Sequence, residues 1–399
     1  MIYNAPDIYI EEVPSGARPI QAVGTSTAAF VGVAPDTKAT KLQMLACNNW
    51  TQFRNQFFPK DDKGNVVADA PWTHLAHAVF GFFREGGRRC YAVSIAKGKP
   101  IKDGLDALKQ IDEIAIVAAP GYTDTASYND LLEHCEDMRD RVAILDGVER
   151  VDDITKLTIV GRAGGAPGDG TPDGVRPRQS KGGYGAVYYP WLVVRDPINP
   201  AGTVNIPPSG HIAGIWARND ATRGVHKAPA NESVRSALNL THILTRQDQE
   251  VLNPAGINVI RFFTREGVLV WGARTLDDGS SPWRYLNVRR LFNMIEESIA
   301  TSTRGIVFEP NNRELWKNIR RDIGAFLTRL WQDGALMGRT PQEAFFVKCD
   351  EETNPPANID AGIVTTLIGI APVKPAEFII FRISQLESGV EVESTEGGR

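Results

Sequence analysis

Residues 113–147 read "EIAIVAAPGYTDTASYNDLLEHCEDMRDRVAILDG". Two short apolar runs, 113–121 and 141–147, flank a stretch with helical character, 127–140. A strand that is apolar on both faces must be covered on both sides, and a helix between two such strands makes them parallel neighbours. The alternation extends outward. Upstream lie the strands "STAAFVGVA" (26–34) and "RCYAVSIA" (89–96), with helical stretches at 71–87 and 103–111, and downstream comes a helical stretch at 151–159. Residues 23–200 are therefore expected to form an α/β domain around a mainly parallel sheet.

The remainder of the chain has a different rhythm. Residues 160–185 are rich in glycine and proline and read as a long loop, followed by a strand at 186–197. "GINVIRFF" (256–263) and "GVLVWGARTL" (267–276) suggest a hairpin, and helices follow at 285–303 and 311–334. Strand patterns at 344–350, 362–372 and 377–384 close the series. Residues 201–376 thus predict an α+β domain, and the whole chain a mixed α+β and α/β multidomain protein.

Both ends carry strands without an evident place. Ile8 and Ile10 alternate with Tyr9 and Glu11, Glu12 and Val13 follow, and Pro14, Gly16 and Pro19 then break the pattern, giving an N-terminal arm of residues 1–22. At the other end, 377–399, Phe378, Ile380 and Arg382 alternate with Ile379, Phe381 and Ile383, so the run is apolar on both faces. A lone strand is unstable and must pair. Terminal strands beside proline-rich linkers can add to the sheet edge of another subunit, and repeated donation in trans builds open-ended filaments or tubes.

Composition narrows the function. With 42% hydrophobic residues, 23% charged residues and a formal net charge of −4, the chain is globular and lacks the broad positive charge of a nucleic-acid binder. Four scattered cysteines form no CxxC pair, which argues against a zinc site and a disulfide framework. No secretory leader or membrane-spanning run is evident, so a cytosolic origin without membrane anchoring is expected.

No catalytic, cofactor-binding or metal-binding residue is assigned. "GRAGGAPGDG" (161–170) lacks the GK[ST] ending of a phosphate loop. His74 and His77 share a helix face with no nearby carboxylate to complete a ligand set. His134 and Cys135 are adjacent on a helix and point about 100° apart. Ser209 stands in no G-x-S-x-G turn. In "PSGHIAGIWARNDATRGVHKAPAN" (208–231), Pro207, Pro208 and Gly210 are expected to set a turn, "IAGIWARND" to begin a helix, and Arg218, Asp220, Arg223 and His226 to satisfy one another or nearby carbonyls. On the helix at 311–334, Leu315, Ile319, Ile323, Phe326 and Leu330 form an apolar stripe. Arg313, Lys317, Arg320 and Arg321 form a basic stripe nearly opposite, offset locally only by Glu314.

Several blocks carry a resemblance. "IYIEEVPSGARPIQAVGTSTAAFVG" (8–32) resembles the N-terminus of contractile tail sheath proteins of phages and related particles, with its IEE-x-x-x-G arm followed by G-x-S-T-A-A-F-V-G. Residues 207–231, the run from "GINVIRFF" to "LFNMIEESI" and "FEPNNRELWKNI" (308–319) resemble further blocks of that family; none is recognised between about 33 and 195. The resemblance implies a structural subunit that stacks as hexameric rings around an inner tube and contracts to drive the tube through a target envelope. Its inner C-terminal domain is completed by exchanged N- and C-terminal strands, and its outer domain is the alternating α/β region. Implied partners are further copies of the chain, the inner tail tube protein, and baseplate and tail terminator proteins. Assembly is expected in the bacterial host cytoplasm and residence in the tail sheath of the mature particle. Arg313, Lys317, Arg320 and Arg321 become candidate tube contacts, and Arg218, Asp220, Arg223 and His226 a structural junction between the domains. The alternative is a non-contracting tail or injection-particle accessory protein with the same fold.

Overall fold

The computed structural model describes residues 19–39, 41–67, 69–162 and 174–380. Its largest element is a nine-stranded sheet in the order β2-β3-β1-β4-β5-β6-β11-β12-β9. The strands are β1 (Ala28–Gly32), β2 (Met44–Cys47), β3 (Cys90–Ser94), β4 (Ile116–Ala118), β5 (Val142–Asp146), β6 (Gly185–Tyr189), β9 (Glu232–Ser233), β11 (Ile257–Phe263) and β12 (Gly267–Val270). From β3 through β11 every neighbour is parallel, whereas β2 at one edge and β12 and β9 at the other run antiparallel.

The period of two along each strand separates two cores. Ala28, Phe30, Ile116, Ile144 and Tyr188 face one side, under helices α1 (Trp50–Phe57), α2 (His74–Glu85) and α5 (Ser209–Arg223). Ala29, Val31, Val117, Leu145 and Tyr189 face the other, under α3 (Lys102–Leu108), α4 (Thr125–Met138) and α6 (Arg246–Leu252). A three-stranded sheet, β10-β7-β8, flanks the first side: β7 (Leu192–Arg195), β8 (Thr203–Ile206) and β10 (Ala237–Leu240).

A third core belongs to the C-terminal part. There α7 (Leu286–Thr303) packs with α8 (Arg313–Gln332), the short helices α9 (Pro341–Ala344) and α10 (Pro356–Asp360), and a two-stranded antiparallel sheet of β13 (Phe345–Lys348) and β14 (Leu367–Ile370). The expected apolar stripe of α8 is buried here, and Trp316 and Leu327 widen it.

Several expectations change. The hairpin at 256–276, grouped by sequence with the later helices, extends the large sheet, because β11 pairs in parallel with β6. The packing division accordingly falls near residue 277 rather than 200. The strand at 186–197 is two strands, β6 and β7, in different sheets: Pro190 lies between them and has no N–H to continue a ladder. The helical stretch at 151–159 is a single 3₁₀ turn, Ile154–Thr158. Gly210 does not set a turn; it lies inside α5, where a Cβ would come 2.2 Å from the Cα of Ala78. Gly214 meets the Phe82 carbonyl in the same way at 2.5 Å, so glycines let α2 and α5 pack backbone to backbone.

Candidate assembly surfaces

Helix α5 begins at a buried carboxylate. Asp146, at the end of β5, accepts hydrogen bonds from Ser209 N–H (2.7 Å), Ser209 Oγ (2.8 Å) and Gly121 N–H (3.0 Å). It caps a helix whose own flanking residue, Pro208, provides no side-chain cap. Burial pushes the Asp146 pKa up to about 6, against the pull of these three donors. Ser209 Oγ is thereby committed to a capping role.

The four junction residues do not satisfy one another. Arg218 pairs with Glu85 of α2 at 2.7 Å and also donates to the Glu85 and Ser233 carbonyls. Asp220 pairs with Arg290 of α7 at 2.6 Å, accepts from Thr25 Oγ1 at 2.5 Å, and holds Arg290 above the ring of Trp216. The His226 backbone carbonyl accepts a hydrogen bond from Asn287 Nδ2, and Arg223 is exposed. The reason is angular: residues 218 and 220 lie about 200° apart on a helix, so each reaches a different neighbour.

On α8 the basic stripe is better neutralised than its local sequence suggests. Arg313 pairs with Glu351 at 2.6 Å, Arg321 with Asp322 at 2.9 Å, and Arg320 donates to the Cys349 carbonyl. Lys317 is exposed and has no carboxylate partner among the described residues.

The sheet β13–β14 has no further strand on either edge among the described residues. Phe346 is 59% exposed, Leu367 50% and Ile368 37%. Nearby, Glu377 is clasped by Arg274 at 2.6 Å, fixing the point from which the chain runs on. The next three residues, Phe378, Ile379 and Ile380, are 73–80% exposed and belong to no strand. Phe381, Arg382 and Ile383 lie outside the described residues, as do Ile8, Tyr9, Ile10, Glu11, Glu12 and Val13. The N-terminal segment enters the third core at Ile20 and is held by the Val23 N–H, which donates to Ser298 Oγ at 3.0 Å.

Nothing among the described residues assembles reactive groups. Burial pushes the pKa of His77 and His134 down to about 4 and that of His211 to about 3, so all three are neutral at pH 7. All four cysteines are buried thiols, and burial pushes the Cys135 pKa up. Among the described residues no group of three or more metal-capable side chains converges, and no helix is long and apolar enough to cross a membrane.

Two family models match the chain: phage tail sheath protein central domain over residues 96–276 and phage tail sheath C-terminal domain over 278–385. The first reaches well into residues 33–195, which carry no block of the resemblance, and their junction coincides with the packing division. The tail sheath protein of Salmonella phage ViI is 25% identical over 324 residues, covering 77% of this chain and 49% of that protein. The tail sheath protein of Enterobacteria phage T4 is 27% identical over 195 residues, covering 48% and 29%. The chain thus spans about half or less of these curated relatives. Among solved structures, the helical sheath of the anti-feeding prophage in its contracted state is 30% identical, covering 96% of this chain and all of that one, with a TM-score of 0.75. The contracted sheath complex of the PVC extracellular contractile injection system is also 30% identical, covering 96% and 98%, with a TM-score of 0.75.

Proposed function

The chain belongs to the contractile tail sheath family, whose members are structural subunits and not enzymes, and from that premise we propose that it polymerises by exchanging its terminal arms between copies. The observation that carries this reading is β13–β14, a two-stranded sheet that has no further strand on either edge among the described residues and exposes apolar side chains. Two strands alone are marginal in water, and each added strand satisfies a row of backbone groups. The arms supply such strands: "IYIEEV" (8–13) at one end and "FIIFRI" (378–383) at the other. Glu377, clasped by Arg274, marks where the C-terminal arm leaves its own subunit. A donor in one copy and an acceptor in the next make a heterologous contact, which propagates into rings and a tube.

In this reading subunits stack as hexameric rings around an inner tube, and contraction is a switch between two packings of the same folded unit with the arms as hinges. The ion pairs Arg218–Glu85 and Asp220–Arg290 keep α5, α2 and α7 together while the subunit moves. The exposed face of α8, led by Lys317, meets an acidic inner tube through weak pairs that release readily. The baseplate is the further partner from which contraction starts.

Negative-stain electron microscopy of the intact chain, beside versions lacking 1–20 or 377–399, tests the proposal. Wide hollow tubes from the intact chain that vanish on either deletion are expected. Tubes that persist without both arms would refute strand exchange. An intact chain that stays unassembled even with its inner tube would favour a non-contracting accessory role.

A further inference from the structure

A groove of about 1220 Å³ lies beside the root of the C-terminal arm, bounded by α6, β11, the start of α7 and residues 373–379. Its three carboxylates are already engaged: Glu377 with Arg274, Glu250 with Arg246, and Glu232 with Lys227 and Arg218. Four other cations of the lining, Arg223, Arg261, Arg284 and Lys374, have no carboxylate partner among the described residues. More specifically, the Nε atoms of Arg261 and Arg284 and the Oδ1 of Asn287 are buried with no hydrogen-bond partner. Buried, unsatisfied polar groups of this kind are costly, and charged ones most of all. The two guanidinium donors call for anionic oxygens and the amide oxygen calls for an N–H. An acidic polypeptide provides both; inorganic phosphate provides no N–H.

One such polypeptide is part of this chain. Residues 385–399 hold Glu387, Glu391, Glu393 and Glu396 against Arg399 alone. They directly follow the strand that, on the function proposed above, adds to β13–β14 of another copy. Gly334 and Val373 line the groove; Val373 is three residues past the end of β14 and follows Pro372 of the Leu336–Pro372 bridge. A strand that adds to β14 with its C-terminal end toward Ile370 would bring its trailing residues to this groove. We propose that the acidic segment 385–399 of a neighbouring copy docks in the groove, its glutamates on Arg261 and Arg284. The occupant's identity as a second copy rests on the sheath reading; the groove's preference for an acidic peptide does not.

Charge exchange tests it. In full-length chain, E387K/E391K/E393K and R261E/R284E each set like charges against one another and should pellet as tubes much less than wild type at about 0.1 M NaCl, the defect shrinking toward 1 M as the Debye length falls from about 10 to 3 Å and screens the repulsion. Combining both sets, or mixing the two variants, should restore wild-type pelleting at low salt. Failure of the mixture alone would place each segment in its own groove and overturn the proposal. Variants that pellet like wild type at low salt would overturn it too. If the wild-type chain makes no tubes even with its inner tube, the polymerisation reading fails separately, and the groove is then tested by fluorescence anisotropy of a labelled 385–399 peptide with full-length E387Q/E391Q/E393Q/E396Q. Binding weakened at least about tenfold by R284Q is expected, and no binding, or binding indifferent to R284Q, would overturn it.

Discussion

Asp220→Ala is the most informative single substitution. The Asp220 and Arg290 side chains are 6% and 3% exposed, and their 2.6 Å contact joins α5 to α7, which belong to different cores. The substitution removes both carboxylate bonds to the guanidinium and the acceptor of Thr25 Oγ1. Arg290 keeps the Thr25 carbonyl at 3.1 Å and the face of Trp216 at 4.7 Å, and neither neutralises its charge. Breaking a buried pair from one side costs about 3–5 kcal/mol, whereas replacing both partners with apolar groups is close to neutral. Adding Arg290→Met to Asp220→Ala should therefore recover most of the loss, leaving about 1–2 kcal/mol for the stranded Thr25 groups. Urea unfolding of the unassembled chain, followed by tryptophan fluorescence, measures this as a double-mutant cycle. A loss below about 1 kcal/mol for Asp220→Ala, or a double variant equal to the sum of the singles, would refute the reasoning.

Gly210→Ala should lower the urea midpoint by the equivalent of about 1–3 kcal/mol, although alanine is the better helix former, because its Cβ would meet the Ala78 backbone; an unchanged or higher midpoint would show that α2 and α5 separate freely. Stability should fall between pH 7 and pH 5. The folded pKa values of His77, His134 and His211 lie below that of an unfolded histidine, so the unfolded state takes up protons first, and each histidine removes up to about 2 kcal/mol by pH 5. Asp146, with its folded pKa raised to about 6, works in the opposite direction and returns about 1 kcal/mol over the same interval; a flat urea midpoint over this range would contradict the burial of these histidines. Lys317→Glu should weaken co-assembly with an acidic inner tube while leaving chain stability within about 0.5 kcal/mol, and co-sedimentation indifferent to the reversal would remove α8 from that contact.

The parallel sheet was legible because its strands are apolar on both faces and its helices amphipathic, both local signals. The place of β11 was not, since its parallel neighbour β6 lies about 70 residues earlier and register over that span leaves no periodic trace. The same limit applied to charges. The stripe of α8 was visible on a helical wheel, but Glu351, which neutralises Arg313, comes from a loop after β13. By sequence Gly210, close behind two prolines, reads as a turn residue; its actual duty, admitting Ala78, depends on another helix. Arg261 and Arg284 carried no sequence signal, since an orphaned donor exists only once burial is known. The exposed run at 378–380 is the reverse case: a strand pattern that pairs with no strand among the described residues, readable from the apolar character of both its faces.

The central claim is that arms from neighbouring copies complete β13–β14. Hydrogen–deuterium exchange of the free chain and of assembled tubes tests it most directly, read at peptides covering 345–348, 367–370 and the two arms. The account predicts that these amides exchange fast in the free chain and become strongly protected together on assembly, while β4 and β5 at the centre of the large sheet stay equally protected in both. Tubes in which 345–348 and 367–370 exchange as fast as in the free chain would contradict it.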